Sequence, residues 1–135
     1  MKREASIYLP GNTRACLHNN AYKRLYTEWA DRKMTLRYSG AMAADCFLVL
    51  IKGDGVFLSL SAEDKGVKAK LRVLYECVPI AYLVEKAGGK SSFGSEESLL
   101  DLKVKHFTQR TDIIIGCPNE VSHVVKTVRF HGESI

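Results

Sequence analysis

The sequence lacks an apolar run long enough to span a membrane. The longest such run, Cys46 to Ile51, is far shorter than the roughly 20 residues that a spanning helix needs. The N-terminal Met-Lys-Arg-Glu leads directly into an apolar strand pattern, with neither a secretory h-region nor a transit segment. We therefore expect a soluble protein of the cytoplasm or a plastid, with no targeting segment in this sequence and no membrane partner.

Cysteine and histidine are sparse and show no metal-binding spacing. The four cysteines contain no C-x-x-C pair and lie in apolar surroundings (Cys16, Cys46, Cys77, Cys117). This pattern excludes a zinc knuckle and a disulfide framework, and it favours buried thiols in a reducing compartment. The four histidines also lack ligand spacing and are interpreted as surface residues (His18, His106, His123, His131).

The sequence also lacks the pattern that is typical of nucleic-acid binding. Its densest basic stretch, Lys65 to Arg72, contains no aromatic residue on which a base could stack. The formal net charge of +5 suits an anionic ligand without requiring one. We expect no nucleic-acid partner.

What the sequence does contain is an alternation of strand and helix patterns over 135 residues, enough for one modest core. The predicted strands are Ser6–Leu9, Thr35–Tyr38, Val56–Leu60, Lys90–Phe93 and Thr111–Cys117. The first predicted helix runs from Asn19 or Asn20 to Lys33, with a buried stripe of Tyr22, Leu25, Tyr26 and Trp29. Three further helices are predicted over Ala41–Lys52, within Lys70–Gly89, and from Pro118 to a frayed end at His131–Ile135. The fold class is therefore α/β, a single layered unit of about five mixed strands with about four helices.

The segment Lys70–Gly89 is the centre of this pattern, and its apolar residues predict a helix buried on most sides. Pro79 predicts a kink or a regular helix that begins near it, and Gly88-Gly89 predicts its end. One acid, Glu76, lies inside this apolar run and needs a cation. The sequence leaves two candidates open: Arg72, one helical turn earlier, and a bound metal ion.

Two stretches give the sequence a specific resemblance, RYSGAMAAD from Arg37 to Asp45 and KLRVLYECVPIAYLVEKAGG from Lys70 to Gly89. Together with Asn12 they resemble the C-terminal half of the fructose-1,6- and sedoheptulose-1,7-bisphosphatases, magnesium-dependent sugar phosphatases. The resemblance extends from Tyr8 to Phe130 and implies the C-terminal half of that fold. It also implies a sugar bisphosphate substrate and Mg²⁺ as the cofactor.

The resemblance assigns a role to each matching residue. Asn12, Arg37 and Tyr38 would hold the phosphate that is not hydrolysed, and backbone around Gly40 and Met42 would contact the sugar. Lys70 would bridge sugar and phosphate, and Glu76 would ligate magnesium. In the fructose enzymes the arginine reaches into a neighbouring subunit's site, so we expect a homo-oligomer.

Several departures favour the sedoheptulose enzymes over the fructose enzymes. Ser59 occupies the place of a substrate-contacting tyrosine, Ala41 replaces a serine, and Phe47-Leu48 replaces a His-Arg pair. The phrases PGNTRA, TLRYSGAM and KAKLR point the same way. We predict sedoheptulose 1,7-bisphosphate, or else fructose 1,6-bisphosphate, as the substrate whose 1-phosphate is hydrolysed.

The Asp-Pro-x-Asp metal motif of these enzymes does not occur in the sequence. Residues 1–135 are thus expected to be a single sugar-phosphate-binding domain, without the N-terminal catalytic half and with no catalytic residue beyond one metal ligand. By itself such a chain should be inactive. The strands Val56–Leu60 and Asp112–Cys117 and the helix Ala41–Ile51 are apolar on more than one side, so if they normally pack against a second half, the isolated chain should expose them as a large apolar patch and self-associate. The alternative is a non-catalytic relative that binds sugar phosphate or a partner chain.

Overall fold

The computed structural model of the chain describes residues 1–132, so the fraying predicted for His131–Ile135 lies mostly outside the described residues. The strands are β1 (Ile7–Gly11), β2 (Thr35–Leu36), β3 (Val56–Ser59), β4 (Leu71–Arg72), β5 (Lys90–Ser92), β6 (Arg110–Thr111) and β7 (Ile113–Gly116). The helices are α1 (Asn20–Asp31), α2 (Met42–Lys52), α3 (Val78–Lys86) and α4 (Pro118–Gly132). Within residues 1–132, no helix combines the length and the apolar character needed to cross a membrane.

Five strands form a mixed sheet in the order β2-β1-β3-β7-β5. Strand β1 pairs in parallel with both β2 and β3, whereas β7 runs antiparallel to β3 and β5. This sheet and the four helices confirm the predicted α/β fold class. The register of β1 with β3 places Gly11 opposite Ser59.

Helices cover both faces of the sheet because side chains alternate along each strand. On one face, Tyr8, Leu58 and Ile114 pack with α1 and α4 around Trp29 and Val124. On the other face, a second cluster contains strand, α2 and α3 residues (Leu9, Phe57, Ile113, Ile115, Cys46, Val49, Ala81, Val84). The predicted α1 stripe is confirmed, with Tyr22, Leu25 and Trp29 fully buried and Tyr26 packed against the first cluster.

The central segment differs from the single buried helix that the sequence predicts. Strand β4 comes first, a π-helical turn follows over Val73–Cys77, and the regular helix α3 then begins with Pro79 in its first turn. The beginning near Pro79 is as predicted, because proline there loses no intrahelical hydrogen bond. Strand β4 pairs with β6 (Arg110–Thr111) in a two-stranded ribbon outside the main sheet. The single strand predicted over Thr111–Cys117 is therefore divided, because Thr111 belongs to this ribbon and only Ile113–Gly116 joins the main sheet as β7.

The prediction that this segment is buried on most sides is wrong, as is the predicted exposure of two strands. All residues of β3 and β7 are buried within the chain because helices cover both of their faces. Some exposed large apolar residues are scattered over the surface, among them Leu17, Leu36 and Phe107, but six lie on α2, the π-helical turn and α3 (Phe47, Ile51, Leu74, Tyr75, Tyr82, Leu83). We call these six residues the outer apolar face.

A buried carboxylate joins α1 to α4. Glu120 in the first turn of α4 is 2% exposed and accepts a hydrogen bond of 3.0 Å from Trp29 Nε1. The guanidinium of Arg32, just after α1, donates to both of its oxygens at 2.8 and 3.2 Å. These hydrogen bonds with Glu120 raise the pKa of Arg32. The two-pronged geometry fixes how the two helices pack on one another.

We predict that Arg32→Met destabilises the chain by on the order of 2–4 kcal/mol, because it strands a buried carboxylate. Urea unfolding measures the effect, and Arg24→Met on the exposed side of α1 is the matched control. Adding Glu120→Gln to Arg32→Met should recover part of the loss, since the uncompensated charge is then gone. An unfolding midpoint that Arg32→Met leaves unchanged would contradict this account.

Candidate functional site

Three parallel strands end at the same edge of the sheet and bring distant residues together. Asn12 follows β1, Arg37 and Tyr38 follow β2, and Leu60 lies just beyond β3. Because β7 is antiparallel to β3, its beginning lies at this same edge, close to Arg110 in the preceding strand. The carboxyl ends of parallel strands are the usual place for ligands in open α/β sheets.

The side chain of Asn12 closes this edge by bonding the loop that follows β3. Its Nδ2 donates to the carbonyl of Leu60 at 2.7 Å and to that of Lys68 at 3.2 Å. The backbone of Asn12 is left-handed, with φ of 53°, a conformation in which asparagine is enriched. Both amide donors are therefore engaged, and the free oxygen is an acceptor that cannot bond a phosphate dianion.

The turn after β2 is held by a buried acid in α2. Asp45 is buried, and its two oxygens accept from the backbone amide of Ser39 at 3.1 and 3.2 Å. Gly40 in this turn has φ of +87°, which L side chains rarely adopt. Asp45 stands out in the sequence as the one acid in an almost wholly apolar helix, but its role in holding this turn was not predicted.

The predicted binding residues of this turn lie at the surface. Arg37 is exposed, and its backbone amide donates to the carbonyl of Tyr8 at 3.0 Å, which continues the pairing of β2 with β1. The Tyr38 hydroxyl would lie 3.4 Å from a Cβ built on Gly11, so it stands beside the end of β1. Met42 begins α2 and packs against the second core cluster.

One cavity of about 300 Å³ gathers basic residues at this edge. Of the predicted residues it contains Asn12 and Lys70, and it adds three that the resemblance does not assign: Arg14, Lys68 and Arg110. Arg37, Tyr38, Gly40, Met42 and Glu76 are not among its lining residues. The arrangement suits an anion, because Arg and Lys donors give strong charge-assisted hydrogen bonds to phosphate oxygens.

Glu76 lies in the π-helical turn, and its Oε1 accepts a hydrogen bond of 2.9 Å from the backbone amide of Arg72. Arg72 is thus a partner of Glu76, as one of the two predictions has it, but the contact is made by its backbone amide and not by its guanidinium. The guanidinium lies over the ring of Tyr75, 5.7 Å from its centroid. Its Nε is buried and has no hydrogen-bond partner in the described part of the chain.

The described residues do not form a complete magnesium site. Residues 1–132 contain no group of three or more His, Cys, Asp or Glu side chains placed to hold a metal ion. Mg²⁺ requires near-octahedral oxygen coordination, and Glu76 supplies one carboxylate. Glu76 can therefore be one ligand among several, with the others supplied from outside these residues.

The cysteines offer no nucleophile to this site. Burial raises the pKa of Cys46 and Cys77 to about 12, so both remain thiols at neutral pH. All four cysteines are free, and three of them are buried, as the sequence indicates. Ser59 is likewise buried on β3, opposite Gly11, whereas Phe47 is 63% exposed on α2.

An α/β sheet with basic residues gathered at the carboxyl ends of its parallel strands is the arrangement that this chain presents, and it suits an anionic ligand. Comparison with known proteins specifies the class of domain. Residues 1–129 match the family described as Fructose-1-6-bisphosphatase, C-terminal domain. The chain belongs to this family.

The relatives carry both substrate names. The chain is 39% identical to the chloroplastic sedoheptulose-1,7-bisphosphatase of Spinacia oleracea, over 93% of the chain and 32% of the relative. It is 49% identical to the class 1 fructose-1,6-bisphosphatase of Thermosynechococcus vestitus, over 65% of the chain and 24% of the relative. A Toxoplasma gondii crystal structure, provisionally assigned as a sedoheptulose-1,7-bisphosphatase, superposes with a TM-score of 0.91 at 36% identity, over 96% of this chain and 41% of that one. The chain thus spans about a third of the length of the curated relatives it matches.

We predict that Asn12→Asp loosens the loop over residues 61–70. An aspartate tolerates the same left-handed backbone, but its carboxylate repels the two carbonyls to which Asn12 donates. Hydrogen exchange of amides in the loop should become about tenfold faster or more, while β3 keeps its protection. Asn20→Asp adds the same charge at the start of α1 and serves as the control; equal exchange of the loop in all three proteins would contradict the role of Asn12.

Proposed function

We propose that the chain is the sugar-phosphate-binding part of a Mg²⁺-dependent sugar bisphosphatase that hydrolyses the 1-phosphate of sedoheptulose 1,7-bisphosphate. The observation that carries the proposal is the basic cavity around Lys70, placed at the carboxyl ends of the parallel strands in a chain of this family. A sugar phosphate would meet arginine and lysine donors there. Metal and the remaining catalytic groups would come from polypeptide outside these 135 residues.

Within the site, Arg37 and Tyr38 would hold the phosphate that is not hydrolysed, and Lys70 would contact both sugar and phosphate. Gly40 and Met42 would line the sugar through their backbone. For Asn12 the geometry favours a positioning role, because its amide donors hold the carbonyls of Leu60 and Lys68. A homo-oligomer in which Arg37 reaches a neighbouring site is consistent with its exposed position beyond the short strand β2.

The preference for sedoheptulose bisphosphate is supported by the residues that differ from the fructose pattern. Buried Ser59 cannot supply the ring and hydroxyl that a tyrosine would present, and exposed Phe47 carries no charge. The change at Ser59 removes a contact to the fructose substrate, and the change at Phe47-Leu48 departs from the fructose pattern on the outer apolar face. The longer substrate then depends more on phosphate contacts at the edge of the sheet.

The outer apolar face gives a reason why this part alone should be inactive. Six large apolar residues are exposed on the same side of the sheet, where α2 and α3 have no further layer. A patch of this kind marks an interaction surface. We propose that the remaining part of the enzyme covers it; the second candidate function, a non-catalytic binder of a partner chain, would use the same face.

One experiment with two arms tests the proposal. The purified 135-residue chain should show no Mg²⁺-dependent hydrolysis of either bisphosphate, whereas the chain supplied with a catalytic N-terminal half should hydrolyse sedoheptulose bisphosphate with the higher kcat/KM. Phosphate release measures both arms. A higher kcat/KM for fructose bisphosphate would reject sedoheptulose bisphosphate as the preferred substrate. Turnover by the chain alone would reject the proposal that catalytic groups come from outside these 135 residues. No turnover in either arm would favour the non-catalytic candidate.

A separate variant tests the proposed metal ligand. Glu76→Gln retains an Oε1 that can accept from the Arg72 amide, so the fold should persist. In the complete enzyme it should lower kcat by at least about tenfold and raise the Mg²⁺ concentration needed for half-maximal activity, since a neutral amide is a poor ligand for a hard cation. Arg72→Met is the matched control for the fold, because it retains the backbone amide; an unaltered Mg²⁺ requirement in Glu76→Gln would reject the metal role.

A further inference from the structure

Basic residues that the family resemblance leaves unassigned converge on the cavity at the sheet edge. Arg14 lies in the 3-10 turn directly after β1, Lys68 lies in the loop before β4, and Arg110 begins β6. Together with Lys70 they line one space of about 300 Å³, at the small end of ligand-binding pockets. All four side chains belong to exposed residues, so solvent and solutes can reach them.

These cations are not balanced by acids of the described chain. The ion pairs formed within residues 1–132 use Lys2, Arg32, His123 and Arg129, and none of them uses a basic residue of the cavity. Glu63 lies next to the cavity, where one of its oxygens accepts from the amide of Ala69 at 3.3 Å, so this carboxylate offsets one of the four cations. The cavity therefore carries an excess of positive charge that an external anion would neutralise.

The β4–β6 ribbon strengthens this conclusion. Its register places Arg110 directly opposite Arg72, so two guanidinium side chains project from the same face of a two-stranded ribbon. Like charges in this position destabilise a strand pair unless a counter-charge lies near them. Arg72 itself does not line the cavity, because its guanidinium lies over the ring of Tyr75, and its buried Nε lacks a partner among the described residues.

We propose that Arg14 and Arg110 are phosphate-contacting residues that determine affinity for the phosphate that the enzyme does not hydrolyse. The identity of the ligand, a sugar phosphate, rests on the proposed function, whereas the location rests on the cavity and its charges. Each guanidinium presents a planar pair of donors to two phosphate oxygens, which a lysine cannot do. Lys68 adds charge, and Asn12 holds its loop through the carbonyl of that same residue.

The test titrates the 135-residue chain with inorganic phosphate and with sedoheptulose 7-phosphate, followed by NMR chemical shifts. Arg14→Ala and Arg110→Ala should each weaken binding by about tenfold or more, and Arg14→Lys should recover part of the loss. Arg24→Ala, an exposed arginine on α1 outside this cavity, should bind as the unaltered chain does. Thermal unfolding of the variants confirms that the fold is retained.

The same variants in the complete enzyme separate this proposal from the proposed function. A KM raised by about tenfold or more with little change in kcat supports the contact roles. The contact roles would be overturned by a normal KM in both variants, or by phosphate binding that neither substitution weakens. The proposed sugar bisphosphate hydrolysis would be unaffected by either result. A third outcome is that the complete protein hydrolyses no sugar bisphosphate, yet the chain binds phosphate and both variants lose this binding. That outcome would overturn the proposed function, and the cavity would remain an anion site.

Discussion

The site depends on the pairing of β1 with β3 and on the side chain that extends it. The register that sets Gly11 opposite Ser59 brings Asn12 to Leu60, and Asn12 then reaches on to the carbonyl of Lys68. Without these two bonds the loop over residues 61–70 would have fewer constraints on where it presents Lys68 and Lys70. A single amide thereby couples a buried, rigid sheet to an exposed and charged loop, which is how a scaffold can preorganise a binding site.

The sheet itself is rigid because both of its faces are covered from within the chain. Alternating residues of β1, β3 and β7 divide between the two helical layers, and the Glu120 hydrogen bonds lock one of those layers. The opposite layer is less complete, since α2 and α3 bury their inner sides and leave the outer apolar face in solvent. The chain thus has a complete core, and the outer apolar face, on the side away from α1 and α4, is the surface that the proposed function would have the rest of the enzyme cover.

Periodicity predicted the elements well where burial sets the pattern. The aromatic stripe of α1, the apolar strand at β3 and the helix start near Pro79 follow from local sequence, and the structure confirms them. The pattern predicted the part of the outer apolar face on α2 but not the part on the π-helical turn and α3, because an apolar side chain looks the same whether its partner lies in this chain or beyond it. It also missed the β4–β6 ribbon, whose two short strands lie far apart in sequence and carry no strand periodicity of their own.

The site shows the same division between local and long-range information. Resemblance placed Asn12 and Lys70 at one site, and the structure brings both to one cavity. It could not reveal that the donors of Asn12 are already engaged, because that depends on two carbonyls at 48 and 56 residues' separation. Nor could it single out Arg110 among 20 basic residues, since the significance of this residue comes from its convergence with Arg14 and Lys70 in space. Positive charge that converges at one place is repulsive in itself, and the proposed phosphate would offset this repulsion at the sheet edge.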